Sequence, residues 1–376
     1  MKILYVTTIG LTMIFFKSFV RELLNSGQSV DIACNEDDIR VPDCYREWGC
    51  RVYQLDCVRS PFGKGNIRAV KTLKKLVKEE KYDIVHCHTP VAGACTRIAC
   101  RKLRKQGTKV LYTAHGFHFY KGGPVKNWMI YYPIEKICAH MTDALITINH
   151  EDYELAKRKM KTPKIYYVNG VGVDVDSYLS FTSDSSFLRK ELSVPDDAFL
   201  MLSVGELNQN KNHQVIIRAL ARVNNPNIYY AIAGEGDSKE YLQQLINELK
   251  LTRQVRVLGY RRDIRELHGA ADIFVHPSIR EGLPVSLIEA MASGLPALVA
   301  SNRGTDECIT NYQNGLSYRY DDVEGFAKGI KLLSESPELC SEFSKQNQNK
   351  CQRFCTANVN LEMRNIYRES CKRKQP

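Results

Sequence analysis

The chain has 376 residues, 44% of them hydrophobic and 25% charged, which supplies two cores of ordinary domain size rather than one. Its thirteen cysteines are scattered from Cys34 to Cys371 with no CxxC pair, so neither a short disulfide framework nor a zinc or redox motif is indicated, and a reducing cytoplasm fits best. A formal net charge of +11 calls for an anionic partner without choosing between a membrane surface, a nucleic acid and a phosphorylated substrate.

Met1 to Val20 is apolar enough to imitate a leader peptide or short anchor, but Lys17 and Arg21 interrupt it and no small-residue cleavage site follows. Lys2–Thr7 reads instead as a buried strand leading through a loop into a helix from about Met13. Phe15 and Phe16 in that apolar entry are adjacent and cannot share one helix face, so one of them is expected to face outward, toward a cleft mouth or lipid. No other stretch reaches 18 uninterrupted apolar residues, which argues against a spanning helix. Further strands are expected at Ser29–Ala33, Arg51–Leu55, Ile84–Cys87, Lys109–Thr113, Ala144–Ile148 and Lys164–Val168, with helices between them. Lys71, Lys74, Lys75 and Lys78 share one of those helices, and Arg101, Lys102, Arg104 and Lys105 end another. Each cluster alone reads as a solvated face; together they suit anionic headgroups.

After Asn169, Gly170 and Val171 the alternation lapses through Asp174 to Tyr178 and the polar run Thr182 to Ser186, which marks an interdomain linker. It resumes with strands at Phe199–Val204, Ile228–Ala233, Val255–Leu258, Ile273–His276 and Ala297–Ala300, and the chain from Val323 onward reads as helices. The expectation is α/β throughout: doubly wound domains over 1–178 and 179–376 facing each other, with a tail from about residue 357 returning to the first. In such sheets ligands bind beyond the carboxyl ends of the strands.

The segment IREGLPVSLIEAMASGLP, Ile279 to Pro296, leaves a strand through Gly282 and Pro284, starts a helix near Ser286 and ends it at Gly294 and Pro296. Its helix start presents unpaired backbone N–H groups to an anion such as a diphosphate. Glu281 and Glu289, at most about 12 Å apart if the span were all helix, can accept hydrogen bonds from hydroxyls at two ends of a sugar nucleotide. Spacing equally allows a capping box of Ser286 with Glu289 and a solvated Glu281. In SVGELNQNKNH, Ser203 to His213, a strand ends at Gly205 and Lys211 stands at a helix start, where its point charge adds to the dipole. Alone, Lys211 reads as a surface lysine.

Together these segments resemble the retaining glycosyltransferases of family 4, which have the two-domain GT-B fold. The resemblance rests on Glu281 and Glu289 in EGLPVSLIEAMASGLP, on Gly205 and Lys211, on Gly234-Glu235-Gly236, on Gly259-Tyr260 and on Asn169-Gly170-Val171 with Asp174. Tyr112 to Tyr120, YTAHGFHFY, is similar to the corresponding phrase in bacterial enzymes that build capsular or extracellular polysaccharide. The resemblance implies that Glu281 contacts the donor sugar, Glu289 the ribose and Lys211 the diphosphate. Backbone groups near Gly282, Leu283 and Pro284 assist, Pro284 itself lacking an N–H, and Gly259 with Tyr260 frames the base. It implies a front-face reaction with His115 as the active-site histidine, Lys211 and Glu281 as its catalytic partners, and no metal cofactor. The partners it implies are a nucleotide sugar, probed first as a UDP-sugar, and a lipid-linked glycan at the inner membrane face, without nucleic acid.

One departure stands out. Relatives often carry arginine after the phosphate-loop glycine, where this chain has Glu206. Arg261, Arg262 or Arg280 is left to compensate, or Glu206 pairs with Lys211 or orients the acceptor. His118 reads as a packing residue between Phe117 and Phe119, and His86 and His88 at a strand end lack a third metal ligand at a suitable spacing. Gly10 would let a diphosphate approach the backbone, but no GxGxxG follows that strand, which weakens a dehydrogenase reading. Asp174-Val175-Asp176 has the DxD spelling at the linker. An epimerase of similar architecture and a non-catalytic nucleotide-sugar sensor are the rival readings.

Overall fold

The computed structural model describes residues 1–37, 39–181 and 185–371. It separates into two compact units, 1–172 with 356–376, and 173–355. The division thus falls at Gly172 rather than 178, and the final helix belongs to the first unit. The reason is local: Val173 N donates to Phe354 O at 3.0 Å and Val173 bridges Cys355, so residues 173–178 are paired within the second unit. Of the expected linker run Thr182 to Ser186, residues 182–184 lie outside the described residues, and the last two positions open helix Ser185–Glu191.

Unit 1 carries strands β1 (Lys2–Ile9), β2 (Ser29–Asn35), β3 (Val52–Gln54), β4 (Ile84–His88), β5 (Lys109–Ala114), β6 (Ala144–Thr147) and β7 (Lys164–Tyr167). They form one parallel sheet in the order β3-β2-β1-β4-β5-β6-β7. Leu4 and Val6 point into one core and Ile3 and Tyr5 into the other, the two-residue period of a strand buried on both faces. Helix Gly65–Glu80 buries Ala69, Leu73, Leu76 and Val77, a helical stripe, and leaves its lysines outside. The C-terminal helix Thr356–Cys371 does the same with Val359, Met363, Ile366 and Tyr367, which join the core of Ile3 and Tyr5.

Unit 2 carries β8 (Phe199–Val204), β9 (Ile228–Ala233), β10 (Val255–Gly259), β11 (Ile273–His276), β12 (Ala297–Ala300) and β13 (Gly315–Tyr318). They form a second parallel sheet in the order β10-β9-β8-β11-β12-β13. Strand order reverses between β1 and β4 in the first sheet and between β8 and β11 in the second, and a crevice opens at such a point beyond the carboxyl ends. Among the described residues no helix is long and apolar enough to cross a membrane.

Two local expectations change. The helix expected from Met13 begins at Lys17, and Gly10–Phe16 is a tighter 3₁₀ segment that buries Met13 and Phe16 and exposes Leu11, Ile14 and Phe15. β13 carried no readable strand signal, because its four residues begin with a glycine. A Cβ on Gly315 would lie 2.6 Å from Ala297 O in the neighbouring strand, which explains that glycine.

Candidate active site

In unit 2 the crevice between β8 and β11 collects the candidate donor residues. Gly205 follows β8, Gly234 follows β9, Gly259 ends β10 and His276 ends β11. A Cβ on Gly234 would fall 1.8 Å from Gly205 O, and one on Gly236 2.5 Å from Leu207 O, so both glycines let the 205–207 loop lie directly on the next turn. That loop then carries Lys211. Asn208 Oδ1 accepts from Lys211 N at 3.0 Å, Asn210 Nδ2 donates to Arg280 O at 3.0 Å, and Ile279 N donates to Asn210 O at 2.8 Å. The two segments singled out in the sequence are therefore one hydrogen-bonded unit.

At its centre Lys211 Nζ lies 2.7 Å from Glu281 Oε1, and His276 Nε2 lies 3.2 Å from the same oxygen. Burial alone would raise the Glu281 carboxyl, but the His276 hydrogen bond and the Lys211 charge outweigh it and hold the group well below the usual carboxylate range. An ionised Glu281 only accepts, so His276 Nε2 carries the proton, and burial keeps that imidazole neutral. Glu281 is thus a fixed anion with Oε2 left to accept from a ligand. A Cβ on Gly304 would meet Glu281 Cβ at 2.7 Å, so this glycine after β12 also shapes the seat. The solvated reading of Glu281 and the pairing of Glu206 with Lys211 both fall away: Lys211 goes to Glu281, and Glu206 is exposed.

Helix Val285–Ala292 starts with Pro284 as its N-cap and no capping side chain. Ser286 is inside the helix, so it forms no capping box with Glu289, and the first-turn amides are left without intrahelical partners. Pro284 is buried, and Gly282 and Leu283 are half-buried ahead of it. About one turn into the helix, burial pushes Glu289 up to about 7, against the pull of Tyr178 and the Arg265 charge. Tyr178 belongs to helix Val175–Leu179, capped by Asp174, and Arg265 Cζ sits 5.1 Å from its ring. Asp174-Val175-Asp176 is therefore a helix cap and first turn. Gly259 takes a left-handed φ of +72° and Gly234 N donates to its carbonyl, which projects Tyr260 outward with 68% of its surface exposed. Of the three arginines considered beside Glu206, Arg261 is held by Asp263 and Glu191 and Arg262 lies by the Tyr260 ring. Arg280 remains, bound by its backbone to the Lys211 loop.

In unit 1 a second cluster occupies the crevice between β1 and β4. His88 Nδ1 is 3.0 Å from His115 Nε2, and His86 bonds Thr113 Oγ1 and Tyr367 OH at 2.8 Å each. Phe16 covers His88 at 4.3 Å between ring centroids. Burial drives the imidazoles down, His115 to about 4 and His86 to about 3, so these rings are neutral hydrogen-bonding groups near pH 7. Both nitrogens of His86 are committed, which removes it as a metal ligand. Thr89, which follows, has φ +65° and ψ 147°, a strained state for a β-branched residue and held by Thr8 Oγ1 at 2.7 Å. Gly10 is buried, and a Cβ there would meet Ile39 O and Val41 N at 2.6 Å, so packing within unit 1 requires this glycine. His118 packs against Tyr131 in a tilted arrangement, 4.6 Å between ring centroids, while Phe117 and Phe119 stack on each other.

Sequence reasoning missed His276, Tyr178, Arg265 and the Asn208–Asn210 pair. The position of His276 at the last residue of β11, five before Glu281, was the available signal for the first; Tyr178 and Arg265 come from elements distant in sequence, and Asn208 and Asn210 lie in the Ser203 to His213 segment, which shows one partner of theirs, Arg280, only in the folded chain.

Residues 184–350 match the family described as "Glycosyl transferases group 1", and residues 2–149 match "Glycosyl transferase 4-like". The chain is 40% identical over 319 residues to the "Putative glycosyltransferase EpsD" of Bacillus subtilis (strain 168), covering 84% of each chain. It is 29% identical to the Escherichia coli protein named "UDP-Gal:alpha-D-GlcNAc-diphosphoundecaprenol alpha-1,3-galactosyltransferase", over 76% of this chain and 74% of that one. The solved structure of Anabaena HepE in complex with UDP shares the fold, with a TM-score of 0.80 at 20% identity over 98% of this chain and 100% of that one.

Proposed function

This chain belongs to the group 1, 4-like glycosyltransferases with the GT-B fold, and from that premise we propose that it moves a hexose from a UDP-sugar, with retention, to a lipid-linked acceptor of a cell-surface polysaccharide. The observation that carries this reading is the Lys211–Glu281–His276 contact beside the open first turn of helix Val285–Ala292. Lys211 has three donors, so it can keep Glu281 and still reach a phosphate oxygen. With Arg280 and the first-turn amides it neutralises the departing diphosphate. Glu281 Oε2 accepts from sugar hydroxyls and Glu289 from the ribose, while Tyr260 and Gly259 border the base.

In the reaction the bond from the anomeric carbon to the diphosphate oxygen breaks and one to the acceptor oxygen forms. The acceptor hydroxyl proton passes to the leaving diphosphate on the same face. His115, neutral, orients a hydroxyl by hydrogen bonding. Lys211, Arg280 and the amides carry the leaving charge in place of a divalent metal.

The donor and acceptor classes are supported by the E. coli relative, a UDP-Gal:alpha-D-GlcNAc-diphosphoundecaprenol galactosyltransferase, and by the HepE structure in complex with UDP. The exposed Lys71, Lys74, Lys75 and Lys78, with Arg101, Lys102 and Lys105, support peripheral contact with an anionic inner membrane face from the cytoplasm; Arg104 is spent on Asp143. The test is a screen of UDP-sugars with and without polyprenyl-diphosphate-linked glycans, read by UDP release and by product mass. Acceptor-dependent UDP release is the expected result; epimerised sugar without an acceptor, or binding with no turnover under any pairing, would overturn the assignment.

A further inference from the structure

Unit 1 has an apolar groove that neither sheet crevice uses. It is about 440 Å³ and lies among helices Gly65–Glu80, Pro90–Cys100 and Val125–Ala139. Phe62, Ile67 and Ile98 line it with 78%, 65% and 50% of their surfaces exposed, a contiguous apolar lining that a self-sufficient domain would bury. Its one acidic lining residue, Glu135, is not available to a ligand. Arg97 holds that carboxylate through two contacts, at 2.7 and 3.1 Å, and Tyr112 OH adds a third at 3.2 Å. The groove therefore offers hydrocarbon contact with its polar floor already satisfied.

The topology gives the groove a polar end. Crossover helices start at the carboxyl edge of a parallel sheet, so Gly65 and Pro90 both stand at that edge. Pro90 and Ile98 line the same groove and are about 12 Å apart along their helix. Lys64, exposed and without an ion pair among the described residues, lines the groove beside the first helix start. At the same end Pro90 follows His88 by two residues, and His88 bonds His115. One end is thus cationic and adjoins the histidine crevice, and the other runs away along carbon.

We propose that this groove holds the first isoprenoid units of a polyprenyl-diphosphate acceptor, with the diphosphate at Lys64 and the chain running toward Ile98, an assignment that rests on the lipid-linked acceptor proposed above. A concave slot with one cationic end matches a single chain carrying one anionic head. Seating the diphosphate there directs the attached glycan toward His115.

The test uses the full chain and farnesyl diphosphate below its aggregation threshold, measured by calorimetry beside inorganic diphosphate and phosphatidylglycerol vesicles. Farnesyl diphosphate is expected to bind at least about tenfold more tightly than inorganic diphosphate, and Ile67→Asp and Ile98→Asp each to weaken it about tenfold or more. Both positions are exposed, so unchanged melting temperatures and retention of binding by Ile98→Leu separate a lost contact from a lost fold. Lys64→Ala is expected to weaken farnesyl diphosphate without affecting farnesol. Vesicle binding without farnesyl diphosphate binding, or farnesyl diphosphate binding unchanged in both aspartate variants, would overturn the groove assignment even if polyprenyl-linked glycans are accepted. Binding that Ile98→Asp abolishes upholds the groove even if no lipid-linked glycan accepts a sugar, and then only the acceptor reading falls.

Discussion

Glu289 gives the most exposed test, because its proposed work and its burial conflict. Burial raises its carboxyl from an ordinary value of 4.5 to about 7. Between those limits the folded chain keeps a proton that the unfolded chain has released, so folding stability falls as pH rises through this window and levels off above it. A shift of that size corresponds to about 3 kcal/mol of lost stability at pH 8 relative to pH 4. Glu289→Gln has nothing to ionise, so it is expected to be the more stable protein at pH 8 by up to about 3 kcal/mol and close to the parent near pH 4.5. Hydrogen exchange over residues 285–292 in graded urea reads this within unit 2, whose unfolding need not coincide with that of unit 1. Donor binding should move oppositely. A carboxylate that accepts ribose hydroxyls must first lose its proton, so affinity for a UDP-sugar, whose diphosphate does not titrate here, is expected to fall about tenfold per pH unit below 7. Glu289→Gln should bind the donor weakly and without that slope. A Glu289→Gln protein no more stable than the parent at pH 8, or a donor affinity flat from pH 5.5 to 8, would refute the reasoning.

The remaining expectations concern the phosphate grip and its frame. Lys211→Ala is expected to lower kcat by about 10²–10³-fold with a folded protein by circular dichroism, and near-normal turnover would remove Lys211 from the site. His276→Ala leaves Glu281 with one partner in place of two, so its turnover should decline less than that of Lys211→Ala, and an equal or larger loss would make His276 more than a positioning residue. Gly234→Ala forces the Gly205 carbonyl from a 1.8 Å clash; it should destabilise unit 2 by about 1–3 kcal/mol and weaken UDP binding, measured by denaturation and calorimetry. Turnover should persist within about twofold in EDTA, and loss restored by Mg²⁺ would show that Lys211 and Arg280 do not suffice.

The sequence was most legible where the physics is local. Among the described residues, twelve of the thirteen strands match β-rich apolar runs, most plainly the central ones, because a strand buried on both faces must be nearly all apolar whatever packs on it. The spacing of Glu281 and Glu289, and the glycines of the Gly205 and Gly234 turns, were equally plain. By sequence alone they remained compatible with a helix cap and a solvated lysine, since a residue's partner does not appear in its own segment.

Tertiary structure decided the partners. It brought Asn210 onto Arg280, Lys211 and His276 onto one oxygen of Glu281, and Tyr178 beside Glu289 from the supposed linker. It also returned Tyr367 to His86 across 281 positions and so assigned the last helix to the first unit. The alternation of strand and helix determined the two sheets and the edge at which the candidate site lies. Which charges meet at that edge, and which of them stay ionised, depended on burial and distances that only the folded chain sets.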